Sequence, residues 1–188
     1  MKYEIPIFGE GYIEMSEKVG QAYLFAKNAH EGQVRKYTAE PYIVHPVEVM
    51  SIVQSVSNRE DMLCAALLHD VVEDCEVSLR DIEAIFGCAV MFMVEDLTDV
   101  SIATDGNRQT RKEIDRAHTA RSFHLSKTIK LADLISNSKS ICEHDKEFAK
   151  VYIKEKELLL EVLKEGDQTL WNQANEIVQK AKKELGIK

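Results

Sequence analysis

The sequence predicts an all-α fold of roughly eight to nine helices, and three observations carry that prediction. Only three prolines occur, Pro6, Pro41 and Pro46, and all lie in the first quarter of the chain. Beyond them, apolar residues recur over long stretches at the spacing of a buried helix face. No segment shows sustained strand-like alternation, and no internal repeat is present.

The first helix is predicted over residues 16–30, where Val19, Ala22, Tyr23 and Ala26 share one face. Gly32 ends it, and residues 33–44 read as a loop around Pro41. A helix then starts near Pro46, because proline is tolerated in a first turn, and runs to about Val56. Asn58 is placed to cap the next helix, which carries residues 63–74 unbroken. Ser78 caps another, Gly87 ends it, and a further helix covers 90–97. Residues 98–106 are polar and contain Asp-Gly, a loop signal. Helices follow over 107–118, 122–142 and 145–163, and Gly166 breaks the chain before a last one over 167–185. With no linker composition anywhere, the expectation is one domain over residues 1–188.

The 188 residues are enough for a sizeable core, and 45% hydrophobic with 30% charged residues is the composition of a folded globular chain. A net charge of -8 argues against a general nucleic-acid binder. It leaves room for a local basic pocket that takes a phosphorylated small molecule. Cys64, Cys75, Cys88 and Cys142 form no CxxC pair and read as small apolar residues of a reducing compartment. No signal peptide and no membrane span is expected, so the expected location is the cytoplasm, with homo-oligomerisation left open.

The segment LCAALLHDVVED places His69, Asp70, Glu73 and Asp74 on one apolar helix. Four ionisable groups beside a buried face are expensive to desolvate without compensation, and a divalent cation would compensate the acids directly. His69 and Glu73 are four residues apart, as are Asp70 and Asp74, so each pair lies along one face. A His-Asp pair alone is weak evidence. His45 in PYIVHP and Asp133 in TIKLADLI strengthen it, since an acid in an apolar helical run is usually paired or cation-bound. Two imidazoles and two carboxylates suit manganese or iron better than an all-oxygen calcium site.

This order, a histidine, then His-Asp, then a distant Asp, resembles the HD-domain phosphohydrolases. More narrowly, the chain resembles the (p)ppGpp hydrolase domain of the RelA/SpoT family and its small stand-alone relatives. RKYTAEPYIVHPVEV, AALLHDVVEDCEVSLRDIEAIFG and TIKLADLISNSKSI carry the resemblance in the family's order. It implies an HD-domain helical bundle in which His45, His69, Asp70 and Asp133 hold manganese, with iron(II) the other fit. It implies that Glu73 and Asp74 orient or activate the attacking water, and that Arg35, Lys36, Lys130, Asn137 and Lys139 contact the nucleotide. The implied reaction is hydrolysis of guanosine 3′,5′-bis(diphosphate), ppGpp or pppGpp, to GDP or GTP and pyrophosphate. Leu134 stands where the family commonly has a basic residue, and Lys139 where it often has arginine. These departures keep open another nucleotide substrate, such as an adenosine alarmone or NADPH. A binding or antitoxin module on the same fold is the alternative of a different class. Arg108, Lys112 and Arg116 form a basic helical stripe that is either a wall for polyphosphate or a solvated face paired with acids. His30, His118, His124 and His144 read as structural or surface residues.

Overall fold

The structure, a computed structural model, describes residues 2–7 and 11–187, apart from the side chains of residues 139 and 140. Among the described residues it has ten α-helices, one of them a single turn, and a short hairpin. The chain divides into two compact units, Met1–Thr98 and Asp99–Lys188.

The first unit opens with an unforeseen antiparallel hairpin of β1 (Tyr3–Ile7) and β2 (Gly11–Met15), with Ile5 opposite Ile13. Each strand is five residues long and the first contains Pro6, too little alternation to register in the sequence. Ile5 is fully buried, and the Tyr3 ring lies on α1 (Glu17–Ala29) over Gly20. A Cβ at position 20 would stand 2.1 Å from Tyr3 Cγ, so this close approach requires glycine. Ser16 caps α1, its Oγ accepting from Val19 N at 3.4 Å.

Helix α2 (Val44–Gln54) starts two residues earlier than Pro46 and holds His45 in its first turn. Asn58 does not cap α3 (Glu60–Leu68): the residue at the cap is Arg59, and its side chain makes no capping bond. Every residue of α3 from Met62 to Leu68 is buried, so this helix is apolar all round and forms the core of the unit. A fully buried leucine such as Leu67 contributes about 1.5–3 kcal/mol. The helix expected to run through 63–74 stops at His69, turns at Asp70, and resumes as the single turn α4 (Val71–Asp74). Ser78 and Asp81 form a capping box for α5 (Leu79–Phe86), and α6 (Cys88–Leu97) follows Gly87 directly.

The second unit has a 3-10 turn at Ala103–Asp105, then α7 (Arg108–Arg121), α8 (His124–His144), α9 (Lys146–Val162) and α10 (Gln168–Leu185). Asn107, Asp145 and Asp167 cap α7, α9 and α10 through their side chains. Ser122 does not begin α8, whose cap is Phe123. Ile129, Leu131, Ala132, Leu134 and Ile135 make α8 the core helix of this unit. Gly166 lets the turn before α10 approach α8: a Cβ there would lie 2.8 Å from Leu131 Cδ1. No helix among the described residues is long and apolar enough to cross a membrane.

Candidate metal centre and active site

The break at Asp70 is what assembles the first part of the site. In a continuous helix, adjacent side chains diverge by about 100°. Here Asp70 has φ -98° and ψ -9°, a turn conformation, and its Oδ2 lies 3.1 Å from His69 Nε2. His45 enters from the first turn of α2, with Nε2 3.6 Å from the same oxygen. The ligand-capable atoms of His45, His69 and Asp70 all lie within 4.8 Å of one another.

The tautomer of His69 tests whether a cation fits. His69 Nδ1 lies 2.9 Å from the main-chain oxygen of Ala66. A carbonyl only accepts, so Nδ1 carries a proton, and this bond aims Nε2 at Asp70 Oδ2. In the neutral ring Nε2 would set a lone pair beside the carboxylate oxygen at that distance, a repulsion that a cation held among them relieves. Both histidines are at least 97% buried, which strengthens that repulsion. Two imidazole nitrogens and a carboxylate oxygen are the donor set of a first-row divalent cation.

Asp74 lies one helical turn beyond Asp70. The Tyr42 hydroxyl donates to Asp70 Oδ2 at 2.7 Å and lies 3.1 Å from Asp74 Oδ2. Partial burial, with the negative charge of Asp70 behind it, holds the Asp74 carboxyl above its ordinary range. Glu73 is exposed on the same turn. Arg35 sits in a tight loop whose Arg35 N–H bonds Glu40 O at 2.9 Å. Its Nη1 is buried and has no hydrogen-bond partner among the described residues. Lys36 is exposed and folds onto Tyr37, with Nζ 4.8 Å from the ring centroid.

The remaining candidates lie on α8, in the second unit. Asp133 is 8% exposed, and its Oδ1 accepts from Asn137 Nδ2 at 2.6 Å, four residues on. Asn137 therefore orients that carboxylate. Lys130 is half-buried; burial works against the Asp99 charge, yet Lys130 and Lys112 together hold Asp99 below its usual range. Lys139 falls outside the described side chains. Leu134 is 1% exposed and belongs to the core.

Two residues of the basic stripe are paired within the second unit. Arg108 makes a bidentate bridge to Glu155 at 2.7 and 2.8 Å, and Lys112 meets Asp99 at 2.5 Å. The solvated, ion-paired face is thus the better description of these two positions.

Three residues beside the candidate metal centre were not singled out by the motifs. Tyr42 lies inside the PYIVHP segment that carried His45, and that adjacency was the available signal. His30 and Gln33 offered none, because their role depends on contacts made across the fold. His30 is 3% exposed and stacks on Tyr42, with ring centroids 4.5 Å apart. Cys75 Sγ lies 3.3 Å from His30 Nδ1. Burial and the Asp74 charge push its thiol up, so it stays protonated and is a poor nucleophile.

Comparison with known proteins decides the family. A family model described as the HD domain matches residues 22–157. The chain belongs to the HD-domain family. Among HD-domain relatives, the Drosophila melanogaster protein named guanosine-3′,5′-bis(diphosphate) 3′-pyrophosphohydrolase MESH1 is 36% identical over 129 residues, 67% of this chain and 70% of that protein. A Vibrio cholerae protein, named guanosine-3′,5′-bis(diphosphate) 3′-pyrophosphohydrolase, is 45% identical over 82 residues. That match covers 44% of this chain and 12% of the relative, so the chain spans about an eighth of that much longer protein. The solved structure of a metazoan ortholog of SpoT, described as hydrolysing ppGpp, superposes with a TM-score of 0.80 at 29% identity. It covers 93% of this chain and 98% of that one. These relatives are the RelA/SpoT kind that the motifs resemble, and the all-α HD-domain fold is the one expected.

Proposed function

We propose that the protein hydrolyses guanosine 3′,5′-bis(diphosphate) at its 3′ position, releasing pyrophosphate and leaving GDP, or GTP from the pentaphosphate. The observation that carries the proposal is the His45–His69–Asp70 group, with both histidines buried and Asp74 beside it, in a family whose similar members are named for that reaction. His45, His69 and Asp70 would hold a divalent cation, and the resemblance implies Asp133 as a further ligand. A bound cation, manganese foremost with iron(II) the other fit, would supply positive charge that makes water a better nucleophile and offsets charge on the phosphate.

Glu73 and Asp74 are the residues to orient the attacking water and take its proton. A carboxyl held above its ordinary range, as Asp74 is, is better matched to accept and return a proton near neutral pH. Arg35 supports the nucleotide assignment through its Nη1, a buried N–H donor that no acceptor among the described residues satisfies. Lys36, Lys130, Asn137 and Lys139 would complete the contacts to the nucleotide. Leu134 favours a second substrate reading, another nucleotide such as an adenosine alarmone or NADPH. Its side chain is in the core, so it offers no charge where relatives of the resembled family commonly place one.

The test is incubation of purified protein with ppGpp, NADPH and adenosine nucleotides, with manganese or with a chelator. Pyrophosphate and GDP formed from ppGpp with manganese, and lost with chelator, support the proposal. Folded, metal-loaded protein that releases no pyrophosphate from ppGpp overturns it.

A further inference from the structure

We infer that Tyr42 is a positioning residue, backed by His30 and Gln33, that holds Asp74 against Asp70. The inference deepens the hydrolase reading and rests on it for its kinetic consequence. It rests on a closed circuit of contacts in the first unit.

Asp70 and Asp74 are two like charges one helical turn apart on a single-turn helix. Like charges at that spacing repel, and one turn of helix has little rigidity of its own. That repulsion favours side-chain positions that carry the exposed Asp74 carboxylate away from Asp70. The Tyr42 oxygen lies 2.7 Å from Asp70 Oδ2 and 3.1 Å from Asp74 Oδ2, so one phenol spans both carboxylates. Its ring is fixed from behind by His30, at a centroid distance of 4.5 Å and 32° between planes.

Gln33 closes the circuit. Its Nε2 donates to the main-chain oxygen of Asp74 at 3.1 Å, which leaves Oε1 as the acceptor for His30 Nδ1 at 2.8 Å. Thus Gln33 grips the Asp74 backbone, Tyr42 reaches the Asp74 carboxylate, and His30 joins the two. His30, Gln33 and Tyr42 flank the loop that carries Arg35, so this loop and the end of α4 are held as one piece. A group that must meet water within hydrogen-bond reach gains from such fixing, because a displacement of about 1 Å can lower a rate about a hundredfold.

The experiment compares wild type with Tyr42→Phe and with Gln33→Ala. Tyr42→Phe keeps the ring on His30 and removes only the hydroxyl. Gln33→Ala keeps Tyr42 and both carboxylates, and it decides the matter if Tyr42→Phe fails to fold. Two readouts are taken: the Asp74 side-chain position in crystal structures, and kcat with KM for ppGpp. The expected result is an Asp74 carboxylate moved by about 1 Å or more, with kcat down about tenfold or more and KM within about threefold. An unmoved Asp74, or a kcat within about twofold of wild type whatever happens to KM, overturns the inference. If wild type releases no pyrophosphate from ppGpp, the hydrolase reading fails by itself. The position of Asp74 in the variants then decides the circuit alone.

Discussion

His69 Nε2 lies 3.1 Å from Asp70 Oδ2, and the hydrogen bond from His69 Nδ1 to Ala66 O aims that nitrogen at the carboxylate. Such a pair is held together best by a cation. Asp70→Ala is expected to weaken manganese binding at least about 100-fold, beyond the loss typical of contacts behind the ligands. Calorimetric titration of metal-free protein measures it. Manganese should also raise the melting temperature of wild type and leave that of Asp70→Ala nearly unchanged, since a ligand stabilises only the state that binds it. An equal rise in both proteins would remove Asp70 from the metal centre.

Arg35 presents a buried guanidinium N–H from a tight loop. Arg35→Ala is expected to raise KM for ppGpp about tenfold while kcat stays within about threefold, the pattern of lost uniform binding. Steady-state kinetics check this, and an unchanged KM would exclude Arg35 from the nucleotide contacts.

Lys156 carries a pH prediction for stability. Burial pushes its ammonium down to about 8, against the favourable charges of Asp133 and Asp99, while Lys130 and Lys112 push the same way as burial. Its Nζ sits 4.8 Å from the centroid of the Tyr152 ring. In the unfolded chain this lysine titrates near 10.5. Between about 8 and 10.5 the unfolded state therefore binds more protons, and stability rises with pH. The slope cannot exceed about 1.4 kcal/mol per pH unit, and solvent contact at this half-buried side chain brings it below that limit. Lys156→Met should lack this rise when urea unfolding is measured at pH 7, 8 and 9 for both proteins. Parallel curves would contradict it.

Gly20→Ala tests the packing of the hairpin. The new Cβ meets the base of the Tyr3 side chain at 2.1–2.6 Å, where no flexible end can swing aside, so β1 must lift. A loss of about 1–3 kcal/mol is expected in urea unfolding. Turnover per folded molecule should stay the same, because the hairpin holds none of the candidate site residues. A stability unchanged within about 0.5 kcal/mol would show that the hairpin is not packed as described.

Much of the helical order was legible because it is written locally. Ser16, Ser78 and Asn107 cap helices from their own side chains, and Gly87 ends one. The errors fall where local rules compete with packing. Residues 63–74 have one unbroken apolar pattern, yet the helix turns at Asp70, where His69 and Asp70 face the same point. Nothing in the pattern of apolar residues marks that turn. The hairpin at Tyr3–Met15 was missed because its stability comes from Ile5 in the core and Tyr3 over Gly20, not from its own alternation.

By itself, the order of residues determined the family and the list of candidates. His45, His69, Asp70 and Asp133 are chemically distinctive at those positions, and ligand chemistry depends on residue type before it depends on geometry. Only the tertiary structure decided that His45 and His69 turn their nitrogens to one oxygen of Asp70, and that Tyr42, His30 and Gln33 stand behind Asp74. Those relationships join α1, the loop after it, α2 and α4. They arise from contacts between segments up to about forty residues apart, such as Gln33 with Asp74, which no local spacing encodes.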